Sequence, residues 1–159
     1  MKSKIISIGE LTEISAKLRR EDRRLVVTNG CFDLLHVGHV RYLQAARVLG
    51  DVLAVGVNGD ASVRSLKGDG RPLNNEQDRA EVLAALGCVD YVAIFQEVRA
   101  TEFLEQVRPA IYVKGGDYKA ETLNAEERDA LQKTGAEIRI IPFEPGYSTT
   151  ALLERMNTD

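Results

Sequence analysis

The stretch from Leu25 to Leu49 changes its hydrophobic period once, and that change restricts the folds open to the whole chain. Leu25-Val26-Val27 is a short apolar run of the kind buried in a parallel sheet. Beyond it Tyr42, Ala45, Ala46 and Leu49 recur at the i, i+3, i+4, i+7 spacing of an amphipathic helix. Thr28-Asn29-Gly30-Cys31-Phe32-Asp33-Leu34-Leu35-His36-Val37-Gly38-His39 lies between, so the segment is a strand crossing into a helix. Gly30 and Gly38 let backbone come close to a ligand, and His36 and His39 stand at the mouth of the helix. Parallel sheets bind ligands outside the carboxyl ends of their strands. A helix N-terminus there offers unpaired N–H groups and a positive dipole end to a phosphate. Two imidazoles added to such a turn point to chemistry on the phosphate as well as binding of it.

The same alternation continues along the chain. Val52 to Val57 is a continuous apolar run that empties into Asn58-Gly59-Asp60, followed by a short helical piece, Ala61 to Leu66. Residues 67–75 form a polar, Gly- and Pro-containing loop expected to be mobile. The next helix carries Val82, Leu83 and Leu86, with Arg79 on the same stripe, where a basic residue points into a cleft or pairs with an acid. Asp90 to Phe95, Ala110 to Lys114 and Glu137 to Pro142 read as further strands. A helix with Phe103, Leu104 and Val107 is stopped by Pro109. Another opens on an Asn124/Glu127 capping box and ends near Gly135. A last helix, opened by Ser148, carries Leu152, Leu153 and Met156. Before the first core strand come a short strand, Lys4 to Ile8, and a helix with Leu11, Ile14 and Leu18. The charged turn Arg19 to Arg24 reads as solvated surface, and Gly50 as the cap ending the helix after the first strand. Strands alternating with helices, joined by right-handed crossovers, predict an α/β, Rossmann-like doubly wound parallel sheet. One domain over residues 1–159 is expected, with 1–23 as an extension and 24–156 as the core.

Composition narrows the function. The 159 residues carry a formal net charge of −3 and no Trp, which argues against nucleic acid as the main partner. Cys31 and Cys88 stand far apart, so neither a disulfide framework nor a zinc site is indicated, and no metal ligand is assigned. There is no signal peptide and no apolar run of about 20 residues, so a cytoplasmic protein without membrane attachment is expected. Neither a Gly-x-Gly-x-x-Gly turn nor a P-loop is present. The polar residues instead gather at strand ends: Asp33 and His36, Asn58 and Asp60, Lys114 and Asp117, and Ser148. The histidines could cap the helix, hold a metal or donate to a transition state. Lys67 alone would read as a solvated lysine, Lys114-Gly115-Gly116-Asp117 as a strand-end turn, and Ser148-Thr149-Thr150 as an ordinary N-cap. Asp33 could orient the histidine turn or cap its helix.

Gly-x-Phe-Asp-x-x-His-x-Gly-His resembles the signature of the nucleotidylyltransferase superfamily. With Leu66-Lys67-Gly68-Asp69-Gly70-Arg71-Pro72, Lys114-Gly115-Gly116-Asp117-Tyr118 and Tyr147-Ser148-Thr149-Thr150, the pattern is similar to the heptose 1-phosphate adenylyltransferase subfamily. The resemblance runs from about Leu25 to Met156. It implies strand order 3-2-1-4-5 and transfer of AMP from ATP to a sugar 1-phosphate, giving ADP-heptose and pyrophosphate, with Mg²⁺ carried by ATP. It implies catalysis by His36, His39 and Lys67. Nucleotide binding would fall to Asn29, Gly30, Cys31, Phe32, Asp33 and Gly38 in the turn, to Arg79, to Lys114, Gly115 and Asp117, and to Ser148, Thr149 and Thr150. Asn58, Asp60 and Arg71 are the candidates for the acceptor. A homo-oligomer and a separate upstream sugar kinase are compatible with it. Two departures from the wider cytidylyltransferase pattern bear on the base. Cys31 stands where those enzymes often carry Thr, and Phe143 opens the segment that there begins with Arg. The rivals are a cytidylyltransferase for glycerol phosphate and a catalytically silent nucleotide-binding module.

Overall fold

A computed structural model describes residues 2–116, 123–142 and 145–158. The elements follow in the order α1 (Ile8–Arg20), β1 (Leu25–Gly30), α2 (Val37–Arg47), β2 (Val52–Asn58), α3 (Asp60–Lys67), α4 (Glu76–Ala84), β3 (Tyr91–Phe95), α5 (Thr101–Val107), β4 (Ile111–Gly115), α6 (Ala125–Thr134), β5 (Glu137–Ile141) and α7 (Thr149–Met156). The strands form one sheet in the order β3-β2-β1-β4-β5, all pairs parallel, with Leu25 opposite Val52 and Ile111 opposite Glu137. This is the order the resemblance implies. The chain reverses its direction of winding between β1 and β4, and the ends of those strands open the crevice in which such sheets bind ligands.

The core divides along β1 with the strand period of two. Leu25 and Val27 face Leu11, Phe103, Leu104 and Leu131, so α1, α5 and α6 cover that side. Val26 faces Tyr42, Leu43, Ala46 and Leu83, so α2 and α4 cover the other. A strand buried on both faces cannot alternate in polarity, which is why β1 and β2 are legible as plain apolar runs.

Several local expectations need correction. Lys4 to Ile8 is not a strand: Ile5 makes one isolated bridge with Val92, and Ser7 with Glu10 forms a capping box that starts α1 at Ile8. α2 ends at Arg47 with Val48 as its cap, and Gly50 serves close packing, since a Cβ there would lie 2.7 Å from Val26 Cγ2. Asn75 caps α4 through its side chain, and the phase this fixes turns Arg79, Ala80 and Leu83 inward. Val82 is left 52% exposed. The Asn124/Glu127 box is half formed: Asn124 accepts from the N–H groups of Glu126 and Glu127, but the Glu127 carboxylate turns to Ala100. α7 buries none of its residues, and Met156 is 75% exposed. The Arg19–Arg24 turn is exposed throughout, as expected; on that surface Arg19 donates to the Arg108 carbonyl at 2.9 Å and Arg24 pairs with Glu137 at 2.8 Å.

Candidate active site

The turn between β1 and α2 is shaped by its own side chains. Phe32 adopts a positive φ of 49°, and a Cβ on Gly30 would lie 2.9 Å from its ring. His36 is the N-cap of α2. Its Nδ1 accepts the Gly38 N–H at 3.1 Å, while Nδ1 of His39 accepts the His36 N–H at 3.3 Å. The capping reading therefore holds for both histidines, but it consumes only Nδ1 and leaves the proton on Nε2 of each ring. Burial, and then the neighbouring His36, push the His39 imidazole down to about 4. Burial lowers His36 as well. Near neutral pH both rings are uncharged and each keeps one N–H to donate. The rings lie 4.0 Å apart. His39 is on the cleft wall, and the His36 ring stacks at 6.4 Å on Tyr147. A Cβ on Gly38 would meet both the His36 ring and Tyr147, at 2.8 and 2.9 Å, so this glycine permits the close packing.

Asp33 does not cap α2, whose N-cap is His36; it ties the histidine turn to a loop remote in sequence. Its buried carboxylate accepts from the N–H groups of Leu73 and Asn74, at 2.7 and 2.9 Å, and from Arg71 Nε at 2.8 Å. Burial alone would raise its pKa; the two amides and Arg71 outweigh that and lower it. The latter half of the 67–75 loop is thus clasped to the histidine turn. The glycines before the clasp, Gly68 and Gly70, have positive φ of 94° and 87° and open space around them.

Arg79 is 2% exposed and lies beneath the cleft, off its wall, which corrects its assignment to the nucleotide pocket. Its guanidinium donates to the carbonyls of Asn74, Cys31 and Asn58, at 2.9, 2.8 and 2.7 Å, and to Asp60 at 2.8 Å. Asp60 is thereby occupied as the acid that the stripe position called for. One cation ties the turn after β1, the end of β2, the start of α3 and the loop before α4. The sequence could not show this, since most of the acceptors are main-chain.

Above that tie lies a cleft of about 540 Å³ at the carboxyl edge of the sheet. Asn29, Gly30, Cys31, Phe32, Asp33 and His39 line its middle; Asn58, Lys67 and Arg71 line one end; Lys114, Gly115, Thr149 and Thr150 line the other. Gly38 and Ser148 stand behind the wall: Ser148 Oγ caps α7 through the Ala151 N–H at 2.9 Å, and Thr149 Oγ1 donates to the Leu34 carbonyl at 3.2 Å. Burial raises the Cys31 thiol. The expectations for Asp117 and Phe143 fall outside the described residues. Tyr42 was legible only as a core residue. Its hydroxyl bonds Thr28 Oγ1 at 2.7 Å and donates to the Val113 carbonyl at 3.3 Å, joining β1 to β4 across the opening. Tyr112 does likewise with Asn29 Oδ1. Sequence reasoning also missed Leu66, Val98, Arg99 and Glu127 on the wall; Glu127 gave a signal, but it read as a cap. A groove of about 550 Å³ beside α1, lined by Ile6, Glu10, Ile14 and Tyr91, brings no comparable set of groups together. Among the described residues no cluster of three or more His, Cys, Asp or Glu side chains could hold a metal, and no helix is long and apolar enough to cross a membrane.

A family model described as cytidylyltransferase-like matches residues 27–155, from within β1 almost to the end of α7. The chain belongs to the cytidylyltransferase-like family. Two curated relatives of this cytidylyltransferase-like chain are each called bifunctional protein HldE. That of a Nitratiruptor species is 52% identical over 149 residues, covering 94% of the chain. That of Koribacter versatilis (strain Ellin345) is 50% identical over 154 residues, covering 96%. The chain spans 31% of the length of each. A crystal structure of the lipopolysaccharide core biosynthesis protein from Thermoplasma volcanium GSS1 superposes with a TM-score of 0.63 at 28% identity, over 77% of this chain and 97% of that one.

Proposed function

We propose that the chain transfers AMP from ATP to D-glycero-β-D-manno-heptose 1-phosphate, giving ADP-heptose and pyrophosphate. The observation that carries this reading is the histidine pair, two neutral N–H donors held by backbone at a helix N-terminus beside a cleft with cations at both ends. A phosphate oxygen of the sugar phosphate attacks the α-phosphorus in line, and the bond from that phosphorus to the bridging oxygen of pyrophosphate breaks. The nucleophile is already anionic, so no strong base is needed. Charge building on the α-phosphoryl oxygens is met by His39 from the wall, by His36 beside it, and by Lys67, since phosphoryl chemistry rests on positioning and electrostatic stabilisation. Thr149, Thr150 and the N-terminus of α7 suit the β- and γ-phosphates.

Mg²⁺ would enter with the triphosphate. Asp33 and Asp60 are engaged by Arg71 and Arg79, so substrate oxygens and water would supply most of its coordination. The likeness to a lipopolysaccharide core biosynthesis protein supports a sugar phosphate as the acceptor. Other relatives are bifunctional and about three times as long, which fits a second activity, such as the kinase that forms the sugar 1-phosphate. A cytoplasmic site of action agrees with these substrates.

Pyrophosphate release measured with ATP or CTP, each against a panel of sugar 1-phosphates and glycerol phosphate, tests the reading. ATP is expected to exceed CTP in kcat/KM by at least about 10²-fold, roughly 2.7 kcal/mol in the transition state. A preference for CTP would overturn the adenylyl assignment, and nucleotide binding without turnover of any acceptor would favour the silent module.

A further inference from the structure

The two ends of the cleft differ in kind. At one, Lys114, Gly115, Thr149 and Thr150 present a cation and the start of α7, a setting for a polyphosphate. At the other, Asn58 donates to the Val98 carbonyl at 3.4 Å, and Glu127 crosses from α6 to accept the Ala100 N–H at 3.3 Å. Glu127 is only 6% exposed, yet it is part of the cleft wall. Its bond to Ala100 uses Oε1, and among the described residues no donor reaches Oε2. Thr101 Oγ1 is the one described side-chain polar atom both sealed from solvent and without a partner, so Glu127 Oε2 keeps some contact with solvent, on a residue that lines the cleft. Beside it Arg99 is exposed and makes no hydrogen bond or ion pair among the described residues. Leu66 and Val98, 49% and 43% exposed, form an apolar rim.

An open carboxylate oxygen in a phosphate-binding cleft repels anions and accepts from hydroxyls; a neighbouring guanidinium only donates. A hydroxyl group, which donates and accepts, satisfies both at once. We propose that Glu127 and Arg99 read hydroxyl groups of the acceptor, making this wall the specificity determinant for a polyhydroxylated sugar phosphate. The inference rests on the sugar 1-phosphate reading above and adds the residues that select the sugar. An acceptor lacking the hydroxyl leaves a nearly buried carboxylate oxygen unpaired, the circumstance in which rejection is strong.

The test is pyrophosphate release by the full chain with ATP and heptose 1-phosphate, and with analogues each lacking one hydroxyl. Wild type should lose at least about 10²-fold in kcat/KM with at least one analogue. Glu127→Gln, which retains an oxygen for Ala100, should raise the acceptor KM by about tenfold or more, leave the ATP KM within about twofold, and shrink the analogue penalty below about tenfold. An undiminished penalty, or an ATP KM that rises in step, would overturn the inference while the reaction itself stands. Should Glu127→Gln fail to fold, as judged by thermal melting, Arg99→Ala on the exposed wall decides: a rise confined to the acceptor KM supports the proposal and no change overturns it. Wild type without turnover of any sugar 1-phosphate overturns both the function and the inference.

Discussion

His36 and His39 each use Nδ1 to hold backbone and keep Nε2–H to donate; the proposed chemistry gives that second nitrogen the phosphate. Removal of a single transition-state donor costs about 10²–10³ in kcat, and His36→Ala or His39→Ala should each fall in that range. His36→Ala also removes an N-cap, worth about 1 kcal/mol, so its melting temperature should drop slightly as well. Full kcat in either variant would take that ring out of the mechanism. The same geometry fixes the response to acid. Protonating His39 makes Nδ1 a donor, and it must then release the His36 N–H. Activity should therefore be level through neutral pH and fall as pH approaches about 4. The ring titrates near 6.5 in the unfolded chain and near about 4 in the folded one. Between those values the unfolded chain binds the extra proton, so the stabilising contribution is complete above the higher value and is lost as pH falls toward the lower. His39→Phe should flatten this part of the melting-temperature profile; an unchanged profile would place the acid sensitivity elsewhere.

The elements differ in how openly their sequences declare them. β1 and β2 are buried on both faces and could be read as strands directly, and the helix after β1 announced itself through Tyr42 and Ala46. α4 did not, because its phase depends on the Asn75 cap, and the stripe drawn through Val82 was rotated relative to the one that packs. Glu127 fitted a capping box by spacing, but spacing does not say which of two nearby amides a carboxylate will choose. The histidine turn was legible as a site. The clasp of Asp33 on Leu73 and Asn74 was not, since its donors are backbone groups remote in sequence. That clasp divides the segment after α3 into a part tied to the histidine turn and an untied stretch through Gly68 and Gly70, both at positive φ with open space around them, with Lys67 just before it as the last residue of α3. Lys67→Ala should lower kcat more than it raises the ATP KM, and protease cutting near Gly68 should slow when ATP and sugar phosphate are both bound. Equal losses in kcat and affinity would reduce Lys67 to a binding contact.

Across the whole molecule the site is assembled from the ends of several strands, and the sheet alone does not hold the loops between them. Arg79 does so from below. Arg79→Met should strip partners from the Cys31, Asn58 and Asn74 carbonyls and from Asp60, costing about 3 kcal/mol or more in urea unfolding. Arg79→Lys should rescue little of it, because an ammonium cannot span four acceptors. Melting close to wild type in either variant would disprove this role. The arrangement has an evolutionary side. Because the loops are anchored through main-chain carbonyls, their outward residues carry little of the responsibility for the fold. Leu66, Val98 and Arg99 can vary while the ground beneath them stays fixed. A lineage on this scaffold could change its acceptor by altering a few rim positions without passing through a poorly folded ancestor. Libraries confined to those three positions should be rich in folded members whose preferences differ.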